Sequence, residues 1–250
     1  MMLFTSMLEK NACYITASPI EPCGIMVHST GANNPRLNRY CIVPNEKVNP
    51  NNWNQYTPSG KQVCVHAFIG KLQDGTVATC QTLPWTIKGW HSGSGSKGSA
   101  NNLGYIGFEI CEDDLTNKDY FDKVYKEAVE LTAYLCEKFK LDPLKDGVVI
   151  CHSEGYKRGI ASNHADVMHW FSKFGKTMDD FRRDVNEILI SQPVLNEYQQ
   201  WCVDNKIFVG RKTDSNKPKY DFDKPITRGE VAIVLKRLYD LIKTKFRLSE

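Results

Sequence analysis

Val149-Ile150-Cys151-His152-Ser153-Glu154-Gly155, continued by Ser162-Asn163-His164-Ala165-Asp166, places two histidines and an aspartate directly behind a short apolar run. The run from Val148 to Cys151 has the length and branching of a buried strand, and the small and turn-forming residues after it mark a glycine-punctuated loop. The pattern is that of a strand delivering a ligand into a loop-built site. Imidazole nitrogen and carboxylate oxygen both suit Zn²⁺, and an open catalytic zinc site takes three protein ligands. The best further donor is His28, which also ends a short apolar run, Gly24-Ile25-Met26-Val27. Each of these residues taken singly is more often structural than functional.

Outward from that stretch, the other elements follow from periodicity. Asp119 to Phe139 repeats Phe121, Val124, Tyr125, Ala128, Leu131, Leu135 and Phe139 at three- and four-residue spacing, which predicts a long amphipathic helix against a sheet, stopped by Asp142-Pro143. Tyr105-Ile106-Gly107-Phe108-Glu109-Ile110-Cys111 reads as a strand. Glu109 within it is either an outward-facing strand glutamate or a half-buried general base whose pKa is raised by burial. Val63 to Ile69 and Thr76 to Gln81, joined across Asp74-Gly75, read as an antiparallel hairpin, and His66 in its first strand as structural. Residues 1 to 23 lack clean periodicity and are expected to form an irregular arm or a short helix.

Two loops flank these strands. Ser29 to Pro35 and the Asn- and Pro-rich residues 36 to 60 form a long surface loop beside the site, with Asn33 a candidate substrate contact. Trp85 to Ser96 leads from an aromatic anchor into a Gly/Ser loop that lacks the phosphate-loop pattern and reads as a wall of a binding cleft. Trp90 is a candidate substrate contact there. His91 either touches substrate or braces the loop. His169, beside Trp170, reads as packing.

A chain of 250 residues with 41% hydrophobic and 24% charged residues has ordinary globular composition, with room for one core and a small second module. A formal charge of +3 is too mild to argue nucleic-acid binding, although it suits a polyanionic surface such as a bacterial cell wall. The nine cysteines are odd in number and contain no C-x-x-C pair; Cys64, Cys111, Cys136 and Cys151 sit in apolar patterns as small buried hydrophobes. Maturation under reducing conditions is expected. Met1 to Ala12 has no basic leading region, so no secretory signal is expected, and no apolar stretch is long enough to span a membrane.

The joint pattern is sharper than its parts. His28, Glu109, His152, His164 and Asp166, in the phrases Ile25-Met26-Val27-His28-Ser29-Thr30, Trp90-His91-Ser92-Gly93 and Ile106-Gly107-Phe108-Glu109, resemble the type-2 N-acetylmuramoyl-L-alanine amidases. These are zinc amidases related to the peptidoglycan-recognition proteins, and the resemblance covers about residues 10 to 190. It implies an α/β fold with a mixed central β-sheet flanked by helices. It also implies zinc ligands His28, His152 and Asp166, and Glu109 as the proton carrier. The step from His152 to Asp166 is longer than the family's usual one, which implies a loop insertion. The family's basic residue, commonly lysine, is His164 here, cast either as the transition-state stabiliser or as a ligand in place of Asp166. The implied reaction cleaves the amide between N-acetylmuramic acid and L-alanine in bacterial peptidoglycan. Rival expectations are a recognition protein without catalysis and a wall cysteine peptidase using Cys151 or Cys64.

Residues 1–190 are thus expected to be the catalytic domain and 191–250 a small helical module. In the latter, Ile207-Phe208-Val209-Gly210 and Pro225-Ile226-Thr227-Arg228-Gly229-Glu230 resemble a single surface-layer-homology motif. Thr227 and Glu230 form a capping box that opens a helix from Val231 to Lys243. The resemblance implies that Arg228 helps bind anionic cell-wall polymers, while a single copy implies self-association of the chain or docking on the first domain. An extracellular substrate without a signal peptide points to an endolysin of phage type, made in the cytoplasm and acting on the wall.

Overall fold

The computed structural model describes residues 1–56, 63–190, 197–209 and 226–246. The chain divides into two compact units, Met1–Leu189 and Ile190–Glu250. The change of character expected at Ser191-Gln192-Pro193, the polar loop Arg211 to Tyr220, and Pro225 lie outside the described residues.

The first unit is an α/β fold around six strands: β1 (Leu3–Thr5), β2 (Gly24–Ser29), β3 (Ala67–Lys71), β4 (Val77–Gln81), β5 (Tyr105–Ile110) and β6 (Val149–Cys151). They stand in the order β1-β4-β3-β5-β2-β6. Only β3 and β4 pair antiparallel, as the hairpin around Asp74-Gly75; the remaining pairs are parallel, so the sheet is mixed. Its helices are α1 (Ala12–Thr16), α2 (Ala100–Leu103), α3 (Lys118–Phe139), α4 (His152–Arg158), α5 (Met168–Phe171) and α6 (Met178–Ile190).

Side-chain alternation splits the sheet into two unlike faces. One face presents Ile25, Val27, Ala67, Ile69, Ile106, Phe108, Ile110, Val149 and Cys151, all buried in one large core with α3, Trp170, Phe171, Phe181 and Val185. The long helix enters this core through the stripe its spacing predicts. Asn117 caps its start by accepting from the Tyr120 backbone N–H, and Lys140, left-handed at φ 54°, ends it. The opposite face holds two smaller cores. Phe68, Ala78 and Cys80 pack under the loop that carries Leu37, Tyr40 and Val43, and Met26 and Ile150 pack with Ala100, Ile160 and Ala161. Between these two cores the same face carries His28, Gly107 and Glu109, where an apolar side chain would otherwise be expected.

Three expectations need correction. Residues 1 to 23 contain the short helix expected as one alternative, α1, capped by Asn11, and also an unexpected strand: β1 extends the sheet edge by pairing with β4. The first hairpin strand begins at Ala67 rather than Val63, because Cys64 instead forms an isolated bridge with Trp90. The segment after His152 is not a loop but helix α4. Glu154 accepts from the Cys151 backbone N–H at 3.2 Å, which closes a capping box, and Gly159 at φ 78° ends the helix. Gly155 lets α4 lie close on the sheet, since a Cβ there would stand 2.7 Å from Cε of Met26.

The second unit contains α7 (Glu197–Asp204) and α8 (Arg228–Phe246). The capping box at the start of α8 forms as the sequence predicts: Thr227 Oγ1 accepts from the Glu230 N–H at 3.2 Å and Glu230 Oε2 accepts from the Thr227 N–H at 2.8 Å. Arg237 reaches the Ile207 carbonyl at 3.1 Å. No helix among the described residues is long and apolar enough to cross a membrane.

Candidate metal centre

Three adjacent parallel strands deliver the site at their carboxyl ends, the usual place for function in such sheets. His28 is the fifth residue of β2 and pairs in register with Glu109 of β5. On the other side of β2, Val27 pairs with Cys151, so His152 follows beside His28 as the first residue of α4. Asp166 comes from the turn before α5. It is tied to α4 by the Ser153 N–H donating to its carbonyl at 3.3 Å and anchored by the fully buried Val167. Arg182 of α6 braces this corner by reaching Glu154 Oε1 at 3.0 Å and the Val149 carbonyl at 2.8 Å.

The donor atoms converge. His28 Nδ1 stands 3.0 Å from His152 Nδ1 and 3.0 Å from Asp166 Oδ2, and His152 Nδ1 stands 3.6 Å from Asp166 Oδ2. One donor atom from each residue lies within 4.8 Å of the others, and no other such His/Cys/Asp/Glu group occurs among the described residues. His164 is not part of this group. It is exposed, with its ring 4.6 Å from that of His152 and its Nδ1 3.1 Å from Ser162 Oγ. A tetrahedral zinc with bonds of about 2.0–2.1 Å separates its ligands by about 3.3 Å, so the triangle has the right size for one ion. The donor set of two imidazoles and one carboxylate is of zinc type.

The electrostatics favour the deprotonated forms that a metal needs. Burial, opposed by Asp166, holds the protonated form of His28 below the usual histidine range. Burial alone would raise the Asp166 carboxyl, but the imidazoles of His152 and His28 outweigh it and keep the group well below the usual carboxylate range. Glu109 behaves oppositely. Burial first, then the charges of Asp166 and Glu112, push its carboxyl well above the ordinary value, and its buried Oε2 has no hydrogen-bond partner.

A cavity of about 570 Å³ opens over these groups, lined among others by His28, Glu109, His152, His164, Asp166 and Trp90. Trp90 and Gly93 also line a neighbouring hollow of about 370 Å³ that includes Lys88, Asn101 and Asn102. Of the candidate substrate contacts, Trp90 is 39% exposed and lines both hollows. Asn33 is exposed on the loop after β2, beyond the residues that line either. His91 lines the larger cavity, yet both its ring nitrogens face protein atoms, His28 Nε2 at 3.0 Å and the Tyr105 carbonyl at 3.2 Å.

Over residues 18–168 the sequence matches the family described as N-acetylmuramoyl-L-alanine amidase, Amidase_2. The chain belongs to that amidase family. The fold agrees. The solution structure of the PlyG catalytic domain aligns with a TM-score of 0.52 at 18% identity, covering 78% of this chain and all (100%) of that one. A mutant structure of PlyL aligns with a TM-score of 0.51 at 19% identity, covering 74% of this chain and 99% of that one. No curated protein sequence matches the chain.

Several residues around the candidate metal centre carried no separate signal in the sequence. Ser162 Oγ stands 3.3 Å from His152 Nε2, and Asn101 Oδ1 accepts from the backbone N–H groups of both His91 and Ser92. His169, expected to pack, lines the cavity with Nε2 2.9 Å from Glu112 Oε1. His66 is structural, as its alternation suggests: Nε2 donates to the Ile87 carbonyl at 2.8 Å, Nδ1 accepts from the Gly107 N–H at 3.1 Å, and burial lowers its pKa to about 4. All nine cysteines are free, and Cys64, Cys111, Cys136 and Cys151 are buried.

Proposed function

We propose that this amidase hydrolyses the bond between the lactyl group of N-acetylmuramic acid and L-alanine in bacterial peptidoglycan, using one zinc ion held by His28, His152 and Asp166. The observation that supports this most is the meeting of those three donor atoms in one triangle beside a buried, unpartnered glutamate oxygen. Bound there, zinc would acidify a water toward neutral pKa and polarise the scissile carbonyl.

The chain's own residues supply the remainder. Glu109, in register with His28, takes the proton of the attacking water on Oε2 and returns it to the departing amine nitrogen. Its raised pKa suits both halves of that transfer. His164 at the cavity rim donates to the oxygen that gains charge as water adds, the kind of contact whose loss typically costs ~3 kcal/mol. Trp90 offers an apolar surface where the cavity meets the neighbouring hollow, fit for a substrate that branches into glycan and peptide, and Asn33 contacts the part of it that lies outside.

A cysteine nucleophile has little to support it. Cys151 belongs to the core on the other face of the sheet, and burial raises its thiol pKa. Cys64 is buried, and its contact with Cys13 and its burial raise its pKa well above the ordinary value. We assign residues 191–250 to wall attachment through anionic polymers or to self-association of the chain. That assignment is supported by the sequence resemblance and by the exposure of Arg228 in the first turn of α8.

Mass spectrometry of purified cell walls digested with the protein tests the reaction. Free stem peptides beginning with L-alanine, with glycan strands left intact, are expected. Cleavage within the peptide or between sugars would refute the assignment.

A further inference from the structure

We propose that His91 is a positioning residue for the metal centre: its Nδ1 fixes the proton of His28 on Nε2 and so turns the Nδ1 lone pair of His28 toward the ion. This rests on the zinc reading above and adds to it a residue that touches neither metal nor reacting atoms.

The argument starts at the far end of a short chain of hydrogen bonds. The Tyr105 carbonyl, 3.2 Å from His91 Nε2, can only accept, so Nε2 bears the hydrogen. His91 lies between the rings of His28 and His66, at centroid distances of 5.1 and 5.9 Å, and has no carboxylate partner among the described residues. In its neutral form, a ring with the hydrogen on Nε2 presents Nδ1 as an acceptor. His28 Nε2, 3.0 Å from that acceptor, must then donate. One neutral imidazole has one hydrogen, so His28 Nδ1 is left as a lone pair. That lone pair faces the Asp166 Oδ2 acceptor and His152 Nδ1, each 3.0 Å away, and a cation reconciles the lone pair with the carboxylate.

The other histidine ligand lacks this determinacy. His152 Nε2 faces Ser162 Oγ at 3.3 Å, and a hydroxyl both donates and accepts, so it admits either tautomer. The carbonyl at the end of the His91 arm does not. Metal-bound histidines commonly donate their outer N–H to a carbonyl or carboxylate; here the acceptor is a second imidazole whose own tautomer is set by the main chain.

The fold makes room for that ring on β5. A Cβ on Gly107 would stand 2.4–2.6 Å from Nδ1, Cγ and Cδ2 of His91, so β5 gives up a side chain where the imidazole lies on it. Asn101 fixes the loop by accepting from the His91 and Ser92 N–H groups at 3.0 and 3.1 Å, and Trp90 is paired to Cys64 in both directions. His66 does not compete, because both its nitrogens are engaged by Ile87 and Gly107.

The test compares His91→Asn with His91→Leu in the full chain. The two replacements have the same shape, but only asparagine puts an acceptor, Oδ1, where Nδ1 stood. Zinc affinity is read by competition with a chromogenic chelator. His91→Leu is expected to bind zinc ~10–100-fold more weakly, the usual cost of losing such a partner, and His91→Asn to bind close to wild type. Wild-type affinity in the leucine variant, or an equal loss in both, would overturn the proposal. Long-range ¹H–¹⁵N spectra of the metal-free wild type need no variant to fold: His28 as the Nε2–H tautomer is expected, and the Nδ1–H tautomer would overturn it. A wild-type protein that takes up no zinc at all would instead count against the proposed function.

Discussion

Asp166→Ala protein is expected to retain far less than one equivalent of zinc after dialysis and to release no measurable stem peptide from purified walls. Asp166 is the only anion in the triangle and stands 3.0 Å from His28 Nδ1 and 3.6 Å from His152 Nδ1. Its removal leaves two imidazoles, too few ligands for a stable site of this kind. Without the ion, the attacking water returns from a pKa of about 7 toward that of bulk water, so the rate should fall at least ~10³-fold. The check is paired: metal content by mass spectrometry and product release by chromatography, on the same preparation. Full activity in a protein free of metal would refute the scheme.

Glu109→Gln separates chemistry from metal binding. Glu109 pairs with His28 across β5 and β2 and lines the same cavity, but its carboxylate is not in the donor triangle. The amide keeps the shape and cannot take a proton. The variant should therefore hold one equivalent of zinc while kcat falls ~10²–10⁴-fold, the usual contribution of a positioned acid or base. KM should change little, as for an interaction made in the transition state alone. Steady-state kinetics on a soluble muramoyl peptide give the split. Loss of zinc in this variant would make Glu109 a support for the site, and unchanged kcat would remove it from the reaction.

The strands that bear His28 and Glu109 were legible because each is a short apolar run with a polar residue at an alternating position. The α3 helix was legible because its stripe is long and regular. The sequence was harder to read where a local rule was overridden. Helix α4 hides behind Ser153 and Gly155, residues that suggest a loop, and its capping box uses Cys151, a residue type seldom read as a cap. β1 has only three residues and exists because β4 offers an open edge to pair with. Within the site, single residue types pointed to ligands, yet their meeting was readable only through the family phrases. His28 and Asp166 are 138 positions apart, and nothing in either local pattern requires the other. The supports were the least legible. His91 depends on a carbonyl at Tyr105 and an absent side chain at Gly107, and main-chain acceptors and missing atoms leave no mark in composition or periodicity.

The central claim is that His28, His152 and Asp166 share one zinc ion, and diffraction from crystals of the purified protein on either side of the zinc absorption edge tests it most directly. The predicted result is a single anomalous peak at bonding distance, about 2.0–2.2 Å, from His28 Nδ1, His152 Nδ1 and Asp166 Oδ2. A zinc peak that leaves any of the three out of reach, or crystals of active protein with no peak among them, would contradict it.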